Sequence, residues 1–220
     1  IGDDLDDEMT HTVRNYAGLL FETGQIDRAI EVAEPLAQSF RALGDRARLA
    51  EYYRYSGRKA SFDRILEQSL RVSRMMMQYG LDAENWIAAG KLQELDGTDP
   101  SRVLAHYRRL LESRPDNVDG LNAAGSIALR TKSYDVAARY FLRALEVEDS
   151  SQPALSGLAR AFHRAYDPRL EDIIAELLEI NPHHPTRFEI EAEKHLDTGD
   201  TEKAHQALDQ ILEINTNHIR

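Results

Sequence analysis

Residues 121–145 read LNAAGSIALRTKSYDVAARYFLRAL, and two helices are written in them. Leu121, Ala124, Gly125 and Ala128 recur at i, i+3, i+4 and i+7, which puts them on one helical face. Ala137, Phe141, Ala144 and Leu145 do the same for a second helix. Between them TKSYD is short and polar, so the two helices are antiparallel neighbours. The pattern extends in both directions. Ala17, Ala50, Gly90, Gly125, Ala159 and Ala192 mark a small residue in successive first helices, spaced 33, 40, 35, 34 and 33 residues. Ala29, Phe62, Val103, Ala137, Leu170 and Ala204 mark the following helices at 33, 41, 34, 33 and 34. Two independent series march together at about 34 residues. This is a repeat protein.

Gly24, Gly57 and Gly199 fall between paired helices, where a left-handed residue ends a helix cheaply. Pro115, Pro182 and Pro185 punctuate the joints between units, since proline cannot continue a helix. No sustained period-2 run with turn dipeptides marks a strand. One helix pair cannot bury its own apolar face, so the units must stack.

WIAAG (Trp86 to Gly90) and LNAAG (Leu121 to Gly125) carry a large residue followed four later by glycine. Ala137, Phe141 and Ala144 supply the small–aromatic–small pattern of the second helix, and Asn181-Pro182 closes a unit. On these residues the chain resembles the tetratricopeptide repeat family. The resemblance implies an all-α, right-handed α-solenoid of stacked antiparallel helix pairs. It covers nearly the whole chain as one solenoid, with units at about 10–42, 43–80, 83–117, 118–151, 152–184 and 185–218, and 1–9 an acidic start to the first helix. The first two units are degenerate: Phe62 replaces a small residue and Pro35 falls inside a helix. AYDPR (Ala165 to Arg169) is one residue short of the usual turn. LEINTNH near the end echoes LEINPHH at Leu178 to His184, where another unit follows, and the chain starts at Ile1. Further repeats of a longer chain are therefore expected.

Composition narrows the function classes. The 220 residues carry a net charge of −11 and are 42% hydrophobic, with no Cys. That is too apolar for a disordered tail, and it removes thiolate zinc sites, disulfides and cysteine nucleophiles. No apolar run approaches the roughly 20 residues of a membrane span. Net acidity argues against nucleic acid. Residues 43–80 are locally basic at +4, and Tyr52, Tyr53 and Tyr55 accompany the arginines, but they fall on different helix faces. Phosphate-loop and dinucleotide glycine motifs are absent, and so is a nucleophile elbow. His183-His184 has no third ligand nearby in sequence, so no metal and no cofactor are expected. Met75-Met76-Met77 face three directions, at least one of them the core. Trp86 reads as a packing residue. Asp3, Asp4, Asp6, Asp7 and Glu8 suit the positive end of the first helix dipole.

The resemblance implies that first helices line a concave groove. Counting along them gives Arg14, Arg54, Lys91, Asn122, Arg130, Arg160, His163 and Arg164 as partner-binding candidates. Glu22, Glu51, Glu94, Ser126, Ser156, Glu189, Glu193 and Asp197 share that face. A protein or peptide with an acidic segment would meet Lys91, Arg130, Arg160 and Arg164, the charges setting orientation and on-rate. Alternatively these charges pair with each other. The Lys and Asn that capture chaperone tails in this family are not present, because Arg14 is followed by Gly18 and Asn122 by Ser126. The expected function is a non-catalytic interaction scaffold. An accessory repeat region of a larger, peptidase-like bacterial enzyme is the alternative, and self-association a third reading. The 22 Arg against 5 Lys suggest a bacterial source. Cytoplasm and periplasm both remain open.

Overall fold

The computed structural model describes residues 7–39, 42–78 and 80–217. Among them are twelve α-helices, one short 3-10 helix and no strand. In chain order they are α1 (Asp7–Glu22), α2 (Ile26–Ala33), the 3-10 turn Leu36–Gln38, α3 (Leu43–Tyr55), α4 (Lys59–Met77), α5 (Ala83–Leu95) and α6 (Pro100–Ser113). There follow α7 (Val118–Arg130), α8 (Tyr134–Val147), α9 (Gln152–Ala165), α10 (Leu170–Ile180), α11 (Thr186–Asp197) and α12 (Thr201–Asn217). The chain divides into two compact units, Ile1–Val103 and Leu104–Arg220, with the division inside α6. Asp3, Asp4 and Asp6 of the expected acidic start lie outside the described residues.

Six turns, each joining a first helix to its second, share one backbone solution. The amides of Gln25, Arg58, Thr98, Ser133, Asp167 and Asp200 each donate to the carbonyl five residues earlier, at 2.8–3.0 Å. The residue just before that amide is left-handed: Gly24, Gly57, Gly97 and Gly199, but Lys132 (φ 59°) and Tyr166 (φ 55°) in the other two. In every pair it lies seven positions after the small residue of the first helix. Small residue and turn are therefore one repeating device. The residue missing from AYDPR is lost after the left-handed position. There Asp167 accepts the Arg169 amide at 3.0 Å and its guanidinium at 2.7 and 2.9 Å, and the guanidinium lies 4.4 Å over the Phe162 ring. The Asp167 carboxyl is held at about 2 by those hydrogen bonds. Side-chain caps start four other helices: Asp82 accepts from the Asn85 amide, Asp99 from the Ser101 amide, Asn117 from the Gly120 amide and Asp200 from the Lys203 amide.

One expectation fails in the first repeat. Pro35 does not sit inside a helix, because α2 already stops at Ala33 and the chain passes through Pro35 into the 3-10 turn. Proline has no N–H for the ladder, and its ring collides with the carbonyl four residues back.

The six small first-helix residues are all buried, and so are the second-helix markers except Phe62, which is half-buried. In the first unit, Ala17, Leu20, Ala29, Ile30, Leu49 and Tyr52 form one core cluster. Leu43, Ala47, Leu66, Ala88 and Leu92 form a second, with Phe62 packed against both and Met76 against the second. Met75 is exposed and Trp86 half-buried.

The second unit is organised around one ring. Phe141 on α8 is 1% exposed and points between α7 and α9. A Cβ on Gly125 of α7 would stand 2.7 Å from its Cε1, and one on Gly157 of α9 nearer still to its Cζ. A side chain at either position would force the ring to shift. The two glycines open the slot that the ring fills, at a cost of about 1 kcal/mol each in helix propensity relative to alanine.

Two stability predictions follow from this packing. Gly157→Ala should lower the unfolding free energy by about 1–3 kcal/mol, the usual penalty for overpacking, with the urea midpoint as readout. A rise instead would mean the slot is loose. Tyr166→Gly should raise stability by about 1 kcal/mol, because the ring is 88% exposed and a left-handed non-glycine residue is strained.

Candidate functional site: the first-helix face

The candidate residues sit on first helices, and the structure gives most of them an intramolecular partner. Arg14 on α1 grips Asp45 on α3 with two parallel hydrogen bonds, Nε to Oδ1 at 2.7 Å and Nη2 to Oδ2 at 2.8 Å. Asp45 is only 4% exposed, and Arg48 also reaches its Oδ1 at 3.4 Å. Lys91 on α5 stands 3.4 Å from Glu51 on α3. In the second unit, Arg160 on α9 donates through Nε and Nη2 to Glu189 Oε2 on α11, at 3.1 and 2.6 Å. One turn on, Arg164 and His163 share Glu193, at 2.9 and 3.3 Å. One turn back, the Ser156 and Thr186 hydroxyls are hydrogen-bonded at 2.8 Å and buried.

The α9–α11 seam is thus a polar zipper, with Ser156, Arg160 and Arg164 spaced four apart against Thr186, Glu189 and Glu193. Glu51, Glu189 and Glu193 belong to the face read from the sequence, so its charges pair with each other. The remaining candidates are Asn122, Arg130 and Arg54. Asn122 carries a buried Oδ1 that accepts no hydrogen bond from a described residue. Arg130 is exposed at the end of α7. Arg54 is exposed at the end of α3 and makes no side-chain hydrogen bond or ion pair with another described residue. Asp45 was not among the sequence candidates. An acidic residue in the first turn of a helix reads as a dipole charge, and only the register of α1 against α3 makes it a buried anchor.

Two imidazoles belong to the same seam. His163 has an 8% exposed side chain, and burial pushes its pKa below the usual 6.5 despite Glu193, with Arg164 and Lys194 acting in the same direction as burial. His184, before α11, is also lowered, by burial and then by Arg160. Its Nδ1 accepts from the Thr186 amide at 3.4 Å, which a protonated ring could not do. In the first unit the Tyr53 hydroxyl is pushed up to about 12 by burial and by its 2.6 Å hydrogen bond to Glu34. Among the described residues no three His, Asp or Glu converge as a metal-binding group, and no helix is long and apolar enough to cross a membrane.

Solved structures share this arrangement of helices. A tetratricopeptide repeat protein from Parabacteroides merdae ATCC 43184 superposes with a TM-score of 0.60 at 17% identity, covering 93% of this chain and 79% of its own. The chain has a tetratricopeptide-repeat fold. MamA from Desulfovibrio magneticus RS-1, beginning at its residue 41, gives 0.55 at 19% identity over 80% of this chain and 98% of that one. A double mutant of MamA RS-1 gives 0.56 at 17%, with the same coverage. No protein-family model and no curated protein matches the sequence.

The histidines give the tetratricopeptide seam a pH dependence with a definite sign. Both rings have pKa values below their unfolded value, so the unfolded chain binds more protons in the intervening window. Their contribution is complete above pH 6.5 and is lost as pH falls through the folded values. The urea midpoint should therefore drop between pH 7.5 and 5.5, and the His163→Gln/His184→Gln double variant should show a smaller drop. A midpoint that rises on acidification would mean that the His163–Glu193 ion pair outweighs burial.

Proposed function

We propose that the chain is a non-catalytic protein-interaction scaffold whose first-helix faces hold an extended, acidic segment of a partner. What carries the reading is the register of those faces. Positions 29–31 residues apart on successive first helices come together as Arg14–Asp45, Ser156–Thr186 and Arg160–Glu189. An extended segment crossing α9 and α11 meets Ser156–Thr186 and Arg160–Glu189 in turn, and one crossing α1 and α3 meets Arg14–Asp45. The structural neighbours are repeat proteins of the same fold, consistent with an interaction role.

The internal ion pairs change what an acidic partner would do. A carboxylate approaching Arg160 or Arg164 competes with Glu189 or Glu193, so exchanging one for the other yields little net affinity. The cations then serve mainly to steer and orient the partner. Asn122, Ser126 and Arg130, one helical turn apart on α7, supply neutral and charged hydrogen-bonding groups for the same segment.

The test uses a fluorescent acidic decapeptide and anisotropy at low salt. Glu189→Gln/Glu193→Gln should tighten binding roughly 3- to 10-fold by removing the internal competitors. Arg160→Glu/Arg164→Glu should weaken it by a similar factor, with helical circular dichroism retained. Equal affinity in all three proteins, or no binding by any, would overturn the acidic-segment reading.

A further inference from the structure

The last two helices join the rest of the second unit chiefly through one seam. α12 packs along α11, and α11 touches down on α9, but α10 and α11 do not lie along one another as α8 and α9 do. Between α10 and α11 is instead a cavity of about 300 Å³, lined by Ile174, Ala175, Leu178 and Ile190. Lys194 of α11 meets Glu171 of α10 there at 3.2 Å, and both side chains are exposed. Ile190 and Ala192 are buried, which keeps the hairpin docked at neutral pH.

The seam with α9 contains two imidazoles that fit it best when neutral. His163 is buried, with Nε2 3.3 Å from one oxygen of Glu193, while Arg164 takes the other oxygen at 2.9 Å. His184 accepts the Thr186 amide at 3.4 Å on its Nδ1, the atom that protonation would fill. Thr186 is the first residue of α11, and its hydroxyl is bonded to Ser156 of α9. A proton on His184 therefore disturbs the start of α11, and one on His163 disturbs the middle of the seam.

The surrounding charges decide the direction. Glu193, Lys194 and Asp197 of α11 act on His163, with Arg164 of its own helix, and burial outweighs the carboxylates in favour of the neutral ring. Arg160 of α9 and Glu189 of α11 act on His184, where burial again comes first. Removing α11 opens His163 to water on its Glu193 side and takes Thr186 from His184, so both rings return toward their ordinary 6.5. The undocked state thus binds more protons below that pH, and acid favours it. Arg160–Glu189 and Arg164–Glu193 oppose release only weakly, because these side chains are 38–43% exposed.

We propose that α11 and α12 form an acid-released hairpin: protonation of His163 and His184 undocks the pair from α9 as one unit, while α7, α8 and α9 stay folded. Release leaves Arg160 and Arg164 without their carboxylates and uncovers Ile174 and Leu178. It needs no partner. It gives the loss of stability in acid a location, the last helix pair, as a cooperative unit smaller than the whole domain.

Hydrogen exchange of the full chain at pH 7.5 and 5.5, corrected for intrinsic amide rates, reads the opening of each helix. α11 and α12 should share one opening, at least about 5-fold more populated at the lower pH. α7, α8 and α9 should stay protected at both. In His163→Gln/His184→Gln the opening should be the same at the two pH values, whatever its level. Glu193→Gln should enlarge the acid response, because that carboxylate favours a proton on His163 in the docked state. An unchanged opening in the native chain would overturn the proposal. So would opening of α11 only together with α7, α8 and α9, opening of α12 without α11, or an acid response that survives in the double variant.

Discussion

Everything in the second unit depends on Phe141 having somewhere to go. The ring belongs to a second helix, and its space comes from the two first helices that flank it. Gly125 and Gly157 each surrender a side chain so that α7 and α9 close over the ring. Ala124, Ala128, Ala154, Leu155 and Leu158 are then fully buried around the same seam. The repeat of α7 and α8 is thereby locked to α9, and the separation of these two first helices is set by a ring's thickness. On its other side α9 carries Ser156, Arg160 and Arg164, which pair with α11.

A packed helix that also carries the polar pairs links packing to function. Ion pairs such as Arg160–Glu189 contribute modestly to stability as exposed pairs. Their effect is to hold charged side chains in one geometry. A surface built this way is pre-organised, and pre-organisation lowers the entropy lost when a partner binds. The seam between α9 and α11 is the more polar of those described. A cavity of about 300 Å³ beside it, lined by Ile174, Leu178 and Ile190, leaves the α10 side of α11 less tightly filled. The last repeat still buries Ile190, Ala192 and Ala204, and its hydroxyls, guanidiniums and two histidines are added on the seam with α9.

Much of this was legible in the sequence. The small-residue series and the second-helix series located the twelve helices because both burial and turn geometry recur with them. Phe141 was readable on the apolar face of its helix, and Gly125 as the small residue of the helix before it. Gly157 was not, since the marker in that helix is Ala159 and the second contact with Phe141 exists only once α9 stacks on α8. Glu189 and Glu193 were placed on the right face, yet their pairing with Arg160 and Arg164 needs an interhelical register that no local pattern encodes. The left-handed Lys132 and Tyr166 were likewise invisible, because the turn is dictated by the repeat and not by the residue occupying it.

The central claim is that recognition lies on first helices and that second helices serve as packing. Hydrogen exchange of the chain with and without the acidic decapeptide tests it most directly. The account predicts slowed exchange confined to first helices, among α1, α3, α5, α7, α9 and α11, with second helices unchanged. Protection concentrated on α4, α8, α10 or α12 would contradict it and would move the interface to the opposite face.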